Sequence, residues 1–472
     1  MRLLFVTPEV SPHSGTTPTG DACAALAKAL KGRGHEVVVL SPLYGFVDAA
    51  GRGLARRLRK VEVDLAGEKT AFQVFDGRTA AGVDLLFLGH EEMFSQVREV
   101  PTESQDLGDG RRFGAFCKGA IEVLKNDEKG FDVVHCHGWQ TALVPVLVDL
   151  LELEIGTVQT VYDVAKQGLF DREILAALGL PERLWNIEGL EFHGKVSFLK
   201  GGVLESDRVT TVSPTYAKEI TRDGAGLEGV FSQRGSELTG IAFGVDVAVW
   251  NPTTDAYLEA RFDPMDRAGK RRCKVALQSA LELPIRDDVA LIAVIGEVKA
   301  RSGLDSLARV VSRLMRNDVQ IAIFGEGEGD RKLLEVLQEH AKRWPDRLAI
   351  RDDVDSAQVH RALGGADCVL VPPQQAPGGN LQLRAHRYGA LPIGLRADGV
   401  ADTVVDCDAE LTTGNGFLFD EASDEHLLGA LQRAIGGFAH HGAFEKARER
   451  ALRADHGWER SAYLYERLYG GL

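Results

Sequence analysis

The side chains best suited to chemistry directly follow predicted strands. They offer hydroxyl, imidazole, carboxylate and ammonium groups, which hydrogen-bond sugar hydroxyls or pair with phosphate, and the glycines beside them let a ligand approach the backbone. Ligands of open α/β sheets bind outside the carboxyl ends of the strands, so we expect a small-molecule site in these loops. The positions are Gly15, Gly20, Asp21, His137, Trp139, Tyr162, Lys299, Arg301 and Gly379.

Short apolar runs alternate with helical stretches through most of the chain. The runs RLLFVTP, HEVVVLSP, DVVHCH, TVQTVYD and RVTTVS predict strands, and VEVDL, TAFQVFD and VDLLFLG predict additional strands at one sheet edge. DDVALIAVIGE then starts a second alternating series. This restart predicts an α/β protein with two doubly wound domains, residues 1–243 and 244–457, followed by a packed helix at 458–472.

Composition excludes several classes of partner. The formal net charge of -14 disfavours binding to nucleic acid or an anionic membrane, because both would repel an acidic surface. The six cysteines are far apart and form no C-x-x-C pair, which predicts reduced, buried thiols and neither a metal site nor a cofactor. The start, MRLLFVTPEV, predicts a buried strand in place of a signal peptide, and no apolar stretch could span a bilayer. We therefore expect a cytoplasmic protein with a small or neutral ligand.

Several segments, in their order along the chain, resemble bacterial glycogen synthase and plant starch synthase. They are HGWQTALVP, GKVSFLKGGVLESDRVTTVSPTYAKEI, GVDVAVWNP, LQLRAHRYGALPI and GNGFLFD. The resemblance implies a GT-B fold, two Rossmann-like domains facing a cleft. Residues 1–243 would form the acceptor-side domain, 244–457 the nucleotide-sugar domain, and 458–472 a helix that crosses back. Family members transfer glucose from ADP-glucose to an α-1,4-glucan with retention of configuration and without a metal ion.

The first domain departs from the family motifs at several positions. The donor loop, Lys-Thr-Gly-Gly-Leu in the family, reads Gly-Thr-Thr-Pro-Thr-Gly-Asp over residues 15–21, so the lysine is missing and Pro18 removes a backbone donor. Gly20 and Asp21 still offer a helix amino terminus, where helix capping is favoured over anion binding.

The motif His-x-His-Asp-Trp keeps His137 and Trp139 but has Gly138 in place of the aspartate. Tyr162 replaces the histidine that the family places on the transferred sugar, and Phe243 replaces an asparagine near the hinge. Tyr162 could hydrogen-bond a hydroxyl, although its ring is larger than imidazole.

The second domain has lost the charged groups that the resemblance assigns to the donor. Glu297 and Ser302 stand where the family has an arginine and a lysine that hold the diphosphate, and Ala376 stands where it has its main active-site glutamate. Losing one such positioned group costs about 3 to 4 kcal/mol of transition-state stabilisation. A carboxylate at position 297 would in addition repel an anionic donor. No catalytic group of the family is therefore intact.

Three interpretations follow. Any single replacement could be drift, but seven at the positions that the family uses, with SPTYAKEI retained, favour a non-catalytic relative that binds α-glucan or another enzyme of glycogen metabolism. Binding of a nucleotide sugar is then doubtful. A second interpretation is a transferase for an altered donor, in which Lys299 and Arg301 supply relocated positive charge. A third is an active glycogen synthase whose loop at QQAPGGN is shifted relative to the family motif.

Overall fold

The computed structural model describes residues 1–15, 17–102, 104–299, 302–325, 329–352, 354–372 and 377–472. The chain divides into two compact units. Unit 1 comprises Met1–Gly244 together with Trp458–Leu472, and unit 2 comprises Val245–Gly457.

Unit 1 is built on a nine-stranded sheet. The strand order is β12-β11-β7-β6-β1-β2-β5-β4-β3, in which all pairs are parallel except β3–β4 and β4–β5. A separate antiparallel sheet has the order β8-β10-β9. The strands are β1 (Arg2–Val6), β2 (Glu36–Pro42), β3 (Ala55–Leu65), β4 (Glu68–Arg78), β5 (Asp84–Gly89), β6 (Val133–His137), β7 (Gly156–Val161), β8 (Leu169–Phe170), β9 (Glu191–Phe192), β10 (Lys195–Ser197), β11 (Arg208–Thr211) and β12 (Leu238–Gly240).

The central strands of unit 1 are buried on both faces. Leu3 to Val6 of β1 are fully buried, which explains why the run RLLFV lacks the polar alternation of a half-exposed strand. The predicted edge strands lie in β3, β4 and β5, and that prediction is confirmed. The first helices are α1 (Pro18–Gly32), α2 (Glu91–Phe94), α3 (Leu107–Lys125), α4 (Leu143–Leu150), α5 (Glu173–Ala177), α6 (Phe198–Glu205), α7 (Pro214–Glu219) and α8 (Glu228–Arg234).

Unit 2 contains a six-stranded, fully parallel sheet with the order β15-β14-β13-β16-β17-β18. The order reverses at β13, so unit 2 is doubly wound like unit 1. Its strands are β13 (Ala290–Gly296), β14 (Val319–Gly325), β15 (Leu348–Arg351), β16 (Cys368–Leu370), β17 (Leu391–Leu395) and β18 (Phe417–Phe419). Its helices are α9 (Ala268–Ala280), α10 (Leu304–Leu314), α11 (Arg331–Arg343), α12 (Ser356–Gly365), α13 (Leu381–Arg387), α14 (Asp398–Thr403), α15 (Asp424–Ala439) and α16 (His441–Arg453).

The last helix, α17 (Trp458–Tyr469), packs within unit 1. Trp458, Tyr465 and Tyr469 belong to the core of that unit, and the Tyr469 hydroxyl lies 2.7 Å from Nδ1 of His135. Ser461 Oγ donates to the carbonyl of Ala242 at 2.6 Å. The aromatic residues of the carboxyl terminus are therefore part of the fold of the first sheet.

Two further features bear on function. The six cysteines are free and buried, as predicted, and burial raises the pKa of Cys23 and of Cys117 to about 12. Within the described ranges, no helix has the length and apolar character needed to cross a bilayer.

Candidate functional site

The loop between β1 and α1 is closed by its own side chains. Helix α1 begins at Pro18, and Thr17 is its N-cap, with a side chain that accepts a hydrogen bond from the Thr19 N–H. Proline at the first helical position and threonine before it are a strong helix start. The cap is therefore Thr17, and the expectation that Gly20 and Asp21 would cap the helix is wrong, because the helix starts two residues before Gly20.

A buried carboxylate occupies the inside of this loop. Glu9 is 1% exposed and accepts hydrogen bonds from the backbone N–H groups of Thr17 (3.2 Å) and Gly20 (3.3 Å) and from the Thr17 hydroxyl. A Cβ on Gly20 would lie 2.8 Å from Cα of Gly15, so close packing of the loop requires glycine there. Asp21 accepts a hydrogen bond from Ser11 Oγ at 2.6 Å. All three predicted loop residues thus have contacts within the protein.

His137 and Tyr162 meet at the carboxyl ends of the neighbouring strands β6 and β7. The Tyr162 hydroxyl lies 2.9 Å from Nδ1 of His137. Burial lowers the pKa of His137 to about 3 and, with a smaller contribution from the carboxylate of Glu9, raises the pKa of Tyr162 well above its usual value. At neutral pH the pair is therefore an uncharged imidazole joined to an uncharged phenol.

A cluster of tilted aromatic rings extends from this pair. The ring centroids of Tyr162 and Phe243 are 5.6 Å apart, and those of Phe243 and Trp458 are 5.5 Å apart. Two residues that depart from the family motifs are therefore packed against each other, and apolar ring surface fills the space beside the end of β7.

Trp139 has a packing position. It is 2% exposed, its Nε1 donates to the carbonyl of Thr102 at 2.9 Å, and its ring packs edge-on against Phe113. These contacts tie the segment before α3 to the turn after β6. The structure gives Trp139 a role in the core, and its predicted contact with a substrate stays a prediction.

Unit 1 also contains a cavity that the sequence did not indicate. Its volume is about 250 Å³, slightly below the roughly 300 to 1,000 Å³ typical of pockets for drug-sized ligands, and it is lined by residues 104–105 and 165–169. Gln167 is held by a hydrogen bond from its Nε2 to the carbonyl of Ala225 at 2.9 Å, and the Lys166 ammonium lies 3.6 Å from Asp163. The lining offers hydroxyl, amide and ammonium groups, which suit a small polar ligand.

In unit 2, the described charged side chains of the loop after β13 pair with each other. The Lys299 ammonium forms an ion pair with the carboxylate of Glu297 at 2.9 Å. Ser302 Oγ donates to the backbone carbonyls of Lys299 (2.6 Å) and Glu297 (3.2 Å). Glu297 and Lys299 therefore pair with each other, and Ser302 bonds to the backbone of the same loop. Arg301, the second predicted cation, lies outside the described residues.

The loop before α13 is described only in part. Gly379 precedes this helix and is half-buried, while Ala376 lies outside the described residues. Within α13, His386 is fully buried, with Nδ1 2.9 Å from His456 Nε2 and Nε2 3.1 Å from the Asn415 carbonyl. Burial lowers the pKa of His386 to about 3 and of His456 to about 4. The two histidines are 70 positions apart in the chain, so their spacing gave no reason to predict the pair.

No metal centre is present in the part of the chain that the structure describes, since no three His, Cys, Asp or Glu side chains are grouped to hold an ion. The described sites are therefore hydrogen-bonding sites made of neutral or internally paired groups.

Two family models match the chain, one for each half. Residues 2–233 match the family described as starch synthase catalytic domain, and residues 280–447 match glycosyl transferases group 1.

Full-length relatives are similar to the whole chain. Glycogen synthase of Anaeromyxobacter sp. (strain Fw109-5) is 37% identical over 100% of this chain and 99% of that protein. Glycogen synthase of Geotalea daltonii is 35% identical over 99% of this chain and 98% of that protein.

The solved structures agree with these matches. The catalytic domain of starch synthase IV from Arabidopsis thaliana, bound to ADP and acarbose, has a TM-score of 0.89 at 27% identity, covering 99% of this chain and 98% of that chain. Sucrose-phosphate synthase from Thermosynechococcus elongatus, at 15% identity and a TM-score of 0.62 over 100% of this chain and 99% of that chain, shares the fold. The prediction of two doubly wound α/β domains is confirmed.

Proposed function

Because the chain belongs to the glycogen synthase and starch synthase family and has its GT-B fold, we propose that it is a non-catalytic family member that binds α-glucan. The glucan would bind to unit 1, and a nucleotide sugar would bind weakly or not at all. Binding to another enzyme of glycogen metabolism, in the cytoplasm, would be the second part of the same role.

The observation that carries the proposal is the ion pair between Glu297 and Lys299. The family places an arginine at 297 and a lysine at 302, both aimed at a diphosphate. Here the carboxylate of Glu297 pairs with Lys299 at 2.9 Å, and Ser302 donates its hydroxyl to a backbone carbonyl. A diphosphate at this loop would meet a negative charge where the family presents a positive one, and each lost cation costs about 3 to 4 kcal/mol of transition-state stabilisation.

In unit 1, the packing of Tyr162 against Phe243 also supports the proposal. The family's histidine at position 162 contacts the transferred sugar. Here the Tyr162 hydroxyl is hydrogen-bonded to His137, and its ring packs against Phe243. The group that would have contacted the sugar is therefore replaced by one with partners inside unit 1.

The cavity lined by residues 104–105 and 165–169 supports glucan binding. Its polar groups are of the kind that hydrogen-bond sugar hydroxyls, and a neutral glucan does not need the lost cations. The similar starch synthase IV structure is bound to ADP and acarbose. For this chain we propose a sugar ligand without a nucleotide.

A second candidate is an active glycogen synthase, or a glycosyltransferase with an altered donor. Full-length similarity of 35–37% to proteins named glycogen synthase favours it. For an altered donor, Lys299 would have to leave Glu297 and contact the ligand, and its described position gives it a competing partner.

Isothermal titration with a maltooligosaccharide series, ADP and ADP-glucose separates these candidates. We expect maltooligosaccharide binding without measurable heat from either nucleotide ligand. Lys166→Ala, which removes an ammonium from the cavity wall, should weaken glucan binding, and Lys129→Ala, at an exposed lysine remote from the lining residues in sequence, is the matched control. Tight binding of ADP-glucose would reject the proposal. If Lys166→Ala leaves glucan affinity unchanged, the glucan binds at a surface other than this cavity.

A further inference from the structure

The first half of β3 is a positively charged strand at the edge of an acidic protein. Residues 56–60 read Arg-Arg-Leu-Arg-Lys, and we call them the basic edge. Strand β3 is the last strand of the nine-stranded sheet and pairs with β4 on one side only. Every residue from 55 to 60 is exposed, whereas 61–65 alternate buried and exposed. The basic edge thus projects beyond the packed part of the sheet.

A bulge pushes the middle of the basic edge outward. Arg56 is opposite Phe75 and Lys60 is opposite Gln73, so the three residues between Arg56 and Lys60 face a single residue of β4. Leu58 stands at the centre of this bulge with a relative exposure of 103%. An apolar side chain is therefore presented to solvent between two arginines.

Only part of the positive charge is balanced within the protein. Arg57 forms an ion pair with Asp76, and Arg56 donates to Gln73 Oε1 at 3.0 Å. Arg59 and Lys60 have no ion pair or side-chain hydrogen bond with any residue that the structure describes. Two adjacent cations are therefore available in a chain whose formal net charge is -14.

Protection of a sheet edge explains the charges but does not explain the leucine. Charged side chains and bulges on edge strands prevent association with other chains. Leu58 adds a fully exposed apolar side chain beside these charges, which such protection does not require. Arginine and an apolar residue at the centre of a patch are typical of protein interfaces, where arginine pairs with carboxylates in a bidentate fashion.

We propose that the basic edge is a docking site for an acidic polypeptide segment that carries apolar residues. Glutamates or aspartates of the segment pair with Arg59 and Lys60, and an apolar side chain of the segment lies against Leu58. A polypeptide fits better than nucleic acid or a membrane, because an extended polyanion would also face the acidic remainder of the molecule and be repelled. This inference does not depend on whether the protein is catalytic.

Fluorescence anisotropy with a short labelled peptide tests the site in the full-length protein. The probe is a glutamate-rich peptide with two phenylalanines, and an all-glutamate peptide, a DNA duplex and phosphatidylserine vesicles are measured beside it. We expect the mixed peptide to bind most tightly, and Arg59→Glu with Lys60→Glu to weaken it by about tenfold or more, equivalent to roughly 1.4 kcal/mol. Leu58→Ser should reduce the preference for the mixed peptide over the all-glutamate peptide.

The matched control is Arg331→Glu with Lys332→Glu, which makes the same charge change at an exposed Arg-Lys pair on α11. Circular dichroism checks that all variants fold. The proposal is overturned if the mixed peptide does not bind, if the control variant weakens it equally, or if DNA or vesicles bind as tightly through the same two cations.

Discussion

Tyr162 and Phe243 pack against each other with ring centroids 5.6 Å apart, although 81 positions separate them in the chain. Both differ from the residues that the family motifs place there. The phenol of Tyr162 therefore packs on a phenyl ring at the positions where the resemblance places an imidazole and an amide.

The hydrogen bond between Tyr162 and His137 is predicted to contribute to stability. Tyr162→Phe keeps the ring packing but leaves Nδ1 of buried His137 without its partner, which should lower the free energy of unfolding by about 1 to 3 kcal/mol. Chemical denaturation followed by intrinsic fluorescence measures this. Tyr463→Phe, at a tyrosine that is 46% exposed, is the control and should change the free energy by less than about 0.5 kcal/mol. Equal effects of the two variants would mean that the hydrogen bond contributes nothing.

The pair of His386 and His456 predicts sensitivity to acid. Their folded pKa values are about 3 and about 4, below the ordinary value of 6.5. Between the folded pKa values and 6.5, the unfolded chain binds more protons than the folded protein. The free energy of unfolding therefore decreases as pH falls below about 6.5. Thermal unfolding between pH 7 and pH 4 should show this decline, and His386→Leu should make it shallower. His440→Gln, at an exposed histidine, should leave the slope unchanged; an unchanged slope in His386→Leu would contradict the assignment.

Lys270 predicts that stability continues to rise with pH above neutrality. It is 2% exposed, and burial lowers its pKa from 10.5 to about 7, although its ammonium donates to the Leu363 carbonyl at 2.9 Å. The unfolded chain then binds more protons between about pH 7 and 10.5, so the burial penalty is fully present below pH 7 and is relieved as pH rises. Stability measured from pH 7 to 8.5 should rise less steeply in Lys270→Met than in the parent protein.

The comparison variant for Lys270 is Lys446→Met, at an exposed lysine of α16. The range stops at pH 8.5 because titration of thiols contributes at higher pH. Identical slopes for the parent protein and Lys270→Met would show that Lys270 keeps its proton in the folded state.

Restoring the lost cations should restore part of the affinity for nucleotide. Glu297→Arg with Ser302→Lys removes the internal ion pair with Lys299 and places two positive charges after β13. We expect ADP to bind the double variant measurably, and at least about tenfold more tightly than the upper limit for the parent protein, because two restored cations remove the electrostatic reason for weak binding. Glu339→Arg with Ser312→Lys, which makes the same charge change at exposed positions away from this loop, should leave ADP affinity unchanged. If both double variants gain affinity equally, the effect comes from net charge and not from the loop.

The sequence was sufficient for the elements with an unbroken apolar or alternating pattern. RLLFVTP predicted β1 because it is buried on both faces, and VEVDL predicted the second half of β3 because Val61, Val63 and Leu65 alternate with acidic residues. The first half of β3 was missed, since a run of cations has neither pattern and becomes a strand only through pairing with β4.

The contacts of individual side chains were harder to predict from the sequence than the helices and strands that carry them. Strands β6 and β7 are neighbours in the parallel sheet, which brings His137 and Tyr162 together at their carboxyl ends, but the order of the strands was not predicted from the sequence. Helix α1 is capped by Thr17 and begins at Pro18, before the glycine and aspartate that were expected to cap it. The ion pair of Glu297 with Lys299 depends on the local backbone conformation of a loop. Such contacts depend on backbone geometry that residue types alone do not determine.

Incorporation of radiolabelled glucose into glycogen tests the central claim most directly. The purified full-length protein is incubated with glycogen and ADP-glucose, with UDP-glucose in a parallel reaction and an active bacterial glycogen synthase as the positive control. We predict incorporation at background level with both donors, because Glu297 and Ser302 stand where the family has the two cations that hold a diphosphate, and Lys299 is paired with Glu297. Elongation of glycogen from either donor at a rate comparable with the positive control would contradict the account.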